Sequence, residues 1–159
     1  MKRILMAAVV VLVLGTMGMA QVLANPTPGP KPQGPNAKAS KPQPPDTKPA
    51  QIAAGSWVRL IDDGQYGDSW DIASSLLKER VEREKWEKNI KAVREPFGKM
   101  LSRKLGSTDY RTSMPGLPEG KYVMMRLDSS FANKKDATEI VVVMLDKDGQ
   151  WRVSEYLIK

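Results

Sequence analysis

The last twenty residues, Glu139 to Ile158, constrain the fold most. Seven residues from Glu139 to Leu145 are rich in β-branched and apolar side chains. Asp146-Lys147-Asp148-Gly149 follows, and then a second run, Gln150 to Ile158. The four-residue loop suits a type I turn closed by Gly149 in the left-handed conformation, so the stretch predicts a β-hairpin of fixed register. In the second arm Trp151, Val153 and Leu157 share one parity and are expected to face a core. A lone hairpin is not stable in water, so the rest of the chain must supply more strands and a helical layer to cover that face.

The N-terminal third contributes none of this. Lys2-Arg3 precedes an unbroken apolar run from Ile4 to Leu14, and small residues lead to Val22-Leu23-Ala24. That pattern is expected of a secretory signal peptide over residues 1–24, cleaved after Ala24 or, as second choice, after Ala20. The apolar run is short for a membrane span, so no stable span is expected after cleavage. Residues 25–50 hold nine of the twelve prolines, four lysines and one aspartate, a composition that favours a disordered or extended linker. The alternative is a spacer that crosses cell-wall polymer and clings to anionic surface.

Residues 51–159 remain as a single domain. Eleven lysines and eight arginines face nine aspartates and eight glutamates there, a balance of only +2 against +7 for the whole chain. The excess charge lies mostly in signal and linker, which removes it as an argument for nucleic-acid binding by the folded part.

Apolar residues at helical spacing predict a helix over 51–63 stopped by Gly64, a second over 65–78 with the stripe Tyr66, Trp70, Ala73 and Leu77, and a third over 82–93. Trp86, Ile90 and Val93 form the stripe of the third helix and continue to Phe97 and Leu101. Its wet face is expected to carry the pairs Glu84 with Lys88 and Glu87 with Lys91. After Gly98 the period changes from near 3.6 to near 2, giving strands over 100–110 and 121–131, a third from Thr138 and the fourth in the final arm. Three helices followed by four strands predict an α+β domain, with the helices packed on a curved four-stranded antiparallel meander.

A set of landmarks runs through this domain: Asp62-x-Gly64-x-Tyr66-x-x-Ser69-Trp70, Trp86, Arg94-x-Pro96-x-Gly98, Arg103, Pro115-Gly116-x-Pro118-x-Gly120-x-Tyr122, Phe131-x-x-Lys134, Glu139 and Asp148-Gly149-x-Trp151-Arg152-Val153 with Tyr156. In order and spacing it resembles the secreted bacterial family called domain of unknown function 4019. The resemblance implies a cystatin-like or nuclear-transport-factor-2-like cone, in which a sheet wraps a helix and leaves a pocket at its open end. It implies no activity. Ser154-Glu155 departs from the pattern, where small residues are expected; Glu155 then lies at the sheet edge or enters a pocket.

The chain has no histidine and no cysteine, which removes catalytic triads, thiolate nucleophiles, disulfides and most zinc sites. Asp146-x-Asp148 is too short for an EF-hand loop, and the turn explains it, so no metal and no cofactor are expected. Carboxylate chemistry survives, with Glu139 or Glu155 beside Tyr122 or Tyr156 as the candidate pair of a small isomerase- or lyase-like enzyme. Arg94 and Arg103 flank the corner Pro96-Phe97-Gly98, where two guanidinium forks suit a carboxylate or phosphate ligand. The competing assignment is that one of them pairs with Glu139 or Asp62 and pins helix to sheet. Of the four tryptophans, at least three are expected in the core, with Trp70 and Trp86 the choices for lining a pocket.

These residues predict an exported cell-envelope protein, periplasmic or envelope-associated in a Gram-negative bacterium. Its domain is expected to work as a non-catalytic binding module for an envelope protein or a small ligand. The candidate ligand-binding residues are Trp70, Trp86, Arg94, Arg103, Tyr122 and Glu139. A pocket enzyme and a structural envelope protein are the alternatives.

Overall fold

A computed structural model describes residues 45–159; the expected signal peptide and residues 25–44 of the expected linker lie outside them. Four α-helices precede four strands: α1 (Lys48–Asp62), α2 (Tyr66–Asp71), α3 (Ser75–Arg80), α4 (Arg83–Arg94) with a 3-10 turn at Glu95–Phe97, then β1 (Met100–Arg111), β2 (Tyr122–Phe131), β3 (Ala137–Leu145) and β4 (Trp151–Ile158). The strands form one antiparallel sheet in the order β1-β2-β3-β4. The α+β class and the meander agree with expectation. The helix count differs, four instead of three.

The split has a local cause. The expected second helix is interrupted at Ser74, whose hydroxyl caps α3 by accepting from the Leu77 amide at 3.2 Å, while its own N–H donates to the Val153 carbonyl at 2.9 Å. One serine thus starts a new helix and ties it to the edge of β4. Helix α1 begins at Lys48, inside the stretch that proline content assigns to linker. Pro49 occupies its first turn, where no backbone donor is needed, so the same residue serves linker and helix start. At the other end Gly64, with φ of +74°, and the Gln65 N–H bonded to the Leu60 carbonyl at 2.8 Å form a Schellman stop.

Ala50, Ala54, Trp57, Val58 and Ile61 line the buried face of α1, which packs on β3 and β4. They meet Val123, Met125, Leu127, Val141, Val143 and Val153 from one face of the sheet. Trp57 is buried, donates its indole N–H to the Ser69 carbonyl at 2.8 Å, and lies 5.3 Å from the Tyr156 ring and 5.9 Å from Trp86.

Two expectations fail by a one-residue shift. In β4 the ladder pairs Val143 with Val153 but Val142 with Glu155, so Ser154 is an extra, bulged residue. The bulge reverses the parity beyond it: Tyr156 and Ile158 turn inward, and Leu157, expected in the core, is 55% exposed. In α4 the inward stripe is half-buried Trp86 with buried Ile90 and Arg94, spaced by four, so an arginine takes the place expected of Val93, which is exposed. The helix-surface ion pairs also sit elsewhere, at Arg83–Glu87 and Lys91–Glu95.

The hairpin turn is the expected one. Gly149 has φ of +80°, its N–H donates to the Asp146 carbonyl at 2.9 Å, and hydrogen bonds from Arg152 and the Gln150 amide hold the Asp148 carboxyl down to about 2. Because a Cβ there meets nothing within 4 Å, Gly149→Ala isolates the backbone cost. Chemical denaturation is expected to show a loss of about 1 kcal/mol with an unchanged m-value.

Candidate functional site

Polar side chains at inward-facing strand positions are the exception in this domain, and they converge. Ser129 breaks the run Val123, Met125, Leu127, Phe131 on β2, and Glu139 breaks Ala137, Val141, Val143 on β3. Glu139 has no exposed surface. Arg103 of β1 grips it with both ends of its fork, Nε to Oε1 at 2.7 Å and Nη2 to Oε2 at 3.0 Å. The Tyr156 hydroxyl donates to Oε2 at 2.6 Å and Ser129 donates to Oε1. The same guanidinium reaches Asp62 at the end of α1, Nη1 to Oδ2 at 2.6 Å and Nη2 to Oδ1 at 3.1 Å. Arg94 completes the set, donating to Asp62 at 3.1 Å and to the Gly98 carbonyl at 2.6 Å.

Two arginines and two carboxylates make the cluster neutral, as burial requires. Burial works against the charge of Arg103, but its hydrogen bonds to Asp62 and Glu139 outweigh that and raise its pKa above the ordinary guanidinium value. Arg94 is 4% exposed, and its guanidinium lies 4.2 Å from the centre of the Phe131 ring, while its Nε has no hydrogen-bond partner. The Gly98 carbonyl is aimed at Arg94 by a backbone with φ of +74°, at the corner after the 3-10 turn.

Of the six candidate residues, the structure brings Arg94, Arg103 and Glu139 together. Trp86 stands outside the cluster, packed against Trp57, with its indole N–H donating to the Ser69 hydroxyl at 3.0 Å. Trp70 faces the α3–α4 junction, where it donates to the Val81 carbonyl at 2.8 Å under the Lys78 ammonium. Tyr122 lies on the opposite face of the sheet, buried, with its hydroxyl donating to the Pro118 carbonyl at 2.7 Å. Glu155 pairs with Arg80 on that side. Asp62 and Tyr156 join Arg94, Arg103 and Glu139, the first as the carboxylate expected to pair with an arginine and pin helix to sheet, the second as the tyrosine named beside Glu139. Ser129 is the member that sequence reasoning missed, and the break in apolar alternation there was a readable sign.

Two grooves adjoin this interior. One of about 360 Å³ runs between α1 and the β1–β2 half of the sheet, walled by Ala54, Gly55 and Val58 and floored by Leu105, Met125 and Leu127, with Asp62 and Arg103 at one end. The other, of about 400 Å³, follows β4 and is bounded by Leu77, Val81, Trp86, Ile140, Val142 and Leu157. Glu139 lines neither. Among the described residues no group of three or more acidic side chains is placed to hold a metal ion.

With this geometry in place, the comparison with known families is informative. Residues 53–156 match the family described as "Protein of unknown function (DUF4019)". The chain belongs to this family. The match runs from early α1 to Tyr156, so it contains every member of the buried cluster and all but one lining residue of each groove, Gln51 in the first and Leu157 in the second. Comparison with curated proteins and with solved structures brings no match.

Removing one partner of a buried ion pair leaves the other charged and dry. Glu139→Met is therefore expected to cost about 3–5 kcal/mol in urea unfolding, and Arg103→Lys to fail as a conservative substitute because an ammonium cannot span two carboxylates. A second test uses pH. Burial first, and then the Glu139 charge and hydrogen bond, push the Tyr156 hydroxyl far above its ordinary 10.0. The folded state holds this proton more tightly than the unfolded chain, so the stabilisation is complete below pH 10 and is lost as pH rises beyond it. Melting temperatures followed across that range are expected to fall more steeply for the wild type than for Tyr156→Phe.

Proposed function

We propose that this DUF4019 protein is an exported, non-catalytic binding module of the cell envelope, carried on its Pro/Lys-rich tether, with the α1–β1 groove as its ligand site. The observation that carries the reading is uneven coverage of the sheet. Helix α1 packs on β3 and β4, and over β1 and β2 it leaves a groove whose surface is mostly apolar. Small apolar concavities with a few polar groups at one end are the usual form of a ligand site. The cone-like likeness implied by the landmark residues belongs to the same proposal, since an open end beside one helix is what such a fold offers.

Gly55 supports the reading. It sits in the middle of α1, where glycine weakens a helix, and a Cβ at that position meets nothing within 4 Å. Neither crowding nor backbone geometry demands it; open space along the groove is what it provides. The carboxylate–tyrosine enzyme is less well supported. Glu139 and Tyr156 do meet, but in the interior, with the carboxylate oxygens taken up by Arg103, Ser129 and Tyr156 and no groove beside Glu139 for a substrate.

Protein purified from its native envelope and solved at high resolution tests the site. Elongated density along α1 between Gly55 and Leu105 is expected. Density beside Trp86 instead, or a groove closed by Met100 and Met125, would overturn the assignment. Gly55→Ala is expected to raise stability by roughly 0.5–1 kcal/mol in thermal unfolding, consistent with a glycine retained for room and not for the fold.

A further inference from the structure

The shape and charge of the α1–β1 groove narrow its ligand. It follows α1 from Gln51 to Asp62, which at about 1.5 Å per residue is some 16 Å, long and narrow rather than round. Its middle is apolar on both sides. Charged residues lie only towards the C-terminal end of α1: Arg59, Asp62 and Arg103. Asp62 is satisfied by Arg94 and Arg103, and Arg103 also by Glu139, so those four charges cancel. Arg59 is left over. It is exposed and makes no ion pair among the described residues, which gives that end of the groove one uncompensated cation.

We infer that the groove takes a straight-chain carboxylate of about a dozen carbons, with its tail along Ala54, Gly55, Leu105 and Met125 and its carboxylate on the Arg59 guanidinium; this rests on the groove being the ligand site. The guanidinium fork matches a carboxylate in geometry as well as sign. A volume of about 360 Å³ holds roughly a dozen groups of water or methylene size at ~30 Å³ each, which suits one chain and not two.

Calorimetric titration of the full chain with dodecanoate, dodecanol and dodecylammonium, each below its micellar concentration, tests this. Dodecanoate is expected to bind about fivefold more tightly than dodecanol, the upper range for a solvent-exposed ion pair, and dodecylammonium more weakly than either. Arg59→Gln is expected to erase the preference while keeping dodecanol binding, and Gly55→Leu, a better helix former that fills the groove, to abolish all three. Equal binding of dodecanoate and dodecanol, unchanged in Arg59→Gln but lost in Gly55→Leu, would overturn the anionic end and leave the groove as the site. Binding that survives Gly55→Leu, or no binding of any of the three, would overturn the inference altogether; in the first case the groove itself falls as the site.

Discussion

The fold depends on one buried contact, the grip of Arg103 on Glu139. It joins the outermost strand to the third strand over the top of β2, and every neighbouring element adds one side chain: Asp62 from α1, Arg94 from α4, Ser129 from β2 and Tyr156 from β4. A hydrophobic cluster tolerates small slips in any direction. A set of bidentate hydrogen bonds does not, because a shift of an ångström leaves a buried charge without a partner. The cluster therefore fixes which way the helices lie on the sheet. In a chain without cysteine, no disulfide shares that task.

The strands were almost fully legible in the sequence, because the period-2 alternation and the Asp-Lys-Asp-Gly turn are local properties. The helix boundaries were less so. Ser74 reads as one more residue in a helical stripe, and only its bond to Val153, far along the chain, makes it a cap. The bulge at Ser154 was not legible, since the sequence on either side continues the alternation and the extra residue is visible only against its partner strand. The parity of Tyr156 was lost with it.

The candidate site was half legible. Arg94 and Arg103 stand out in the sequence as two guanidinium forks flanking one corner and Glu139 as a carboxylate in an apolar strand, and charged groups taken out of water must find one another. Trp70 and Tyr122 share their rarity but not their location; each satisfies its polar atom with a nearby backbone carbonyl and is finished. The groove was not legible, because it arises from where α1 does not reach. Its one sequence trace is Gly55, a poor helix former between good ones.

Strand β1 has a last consequence. It is twelve residues long and forms an open border of the sheet, the kind of border on which chains polymerise strand upon strand. Its register against β2 slips at two places, at Leu101 and at Gly106, so the outward row of backbone donors and acceptors is broken into short pieces. A neighbouring strand can match one piece but not the next. Two irregular residues on one border thus act as a guard against fibre growth.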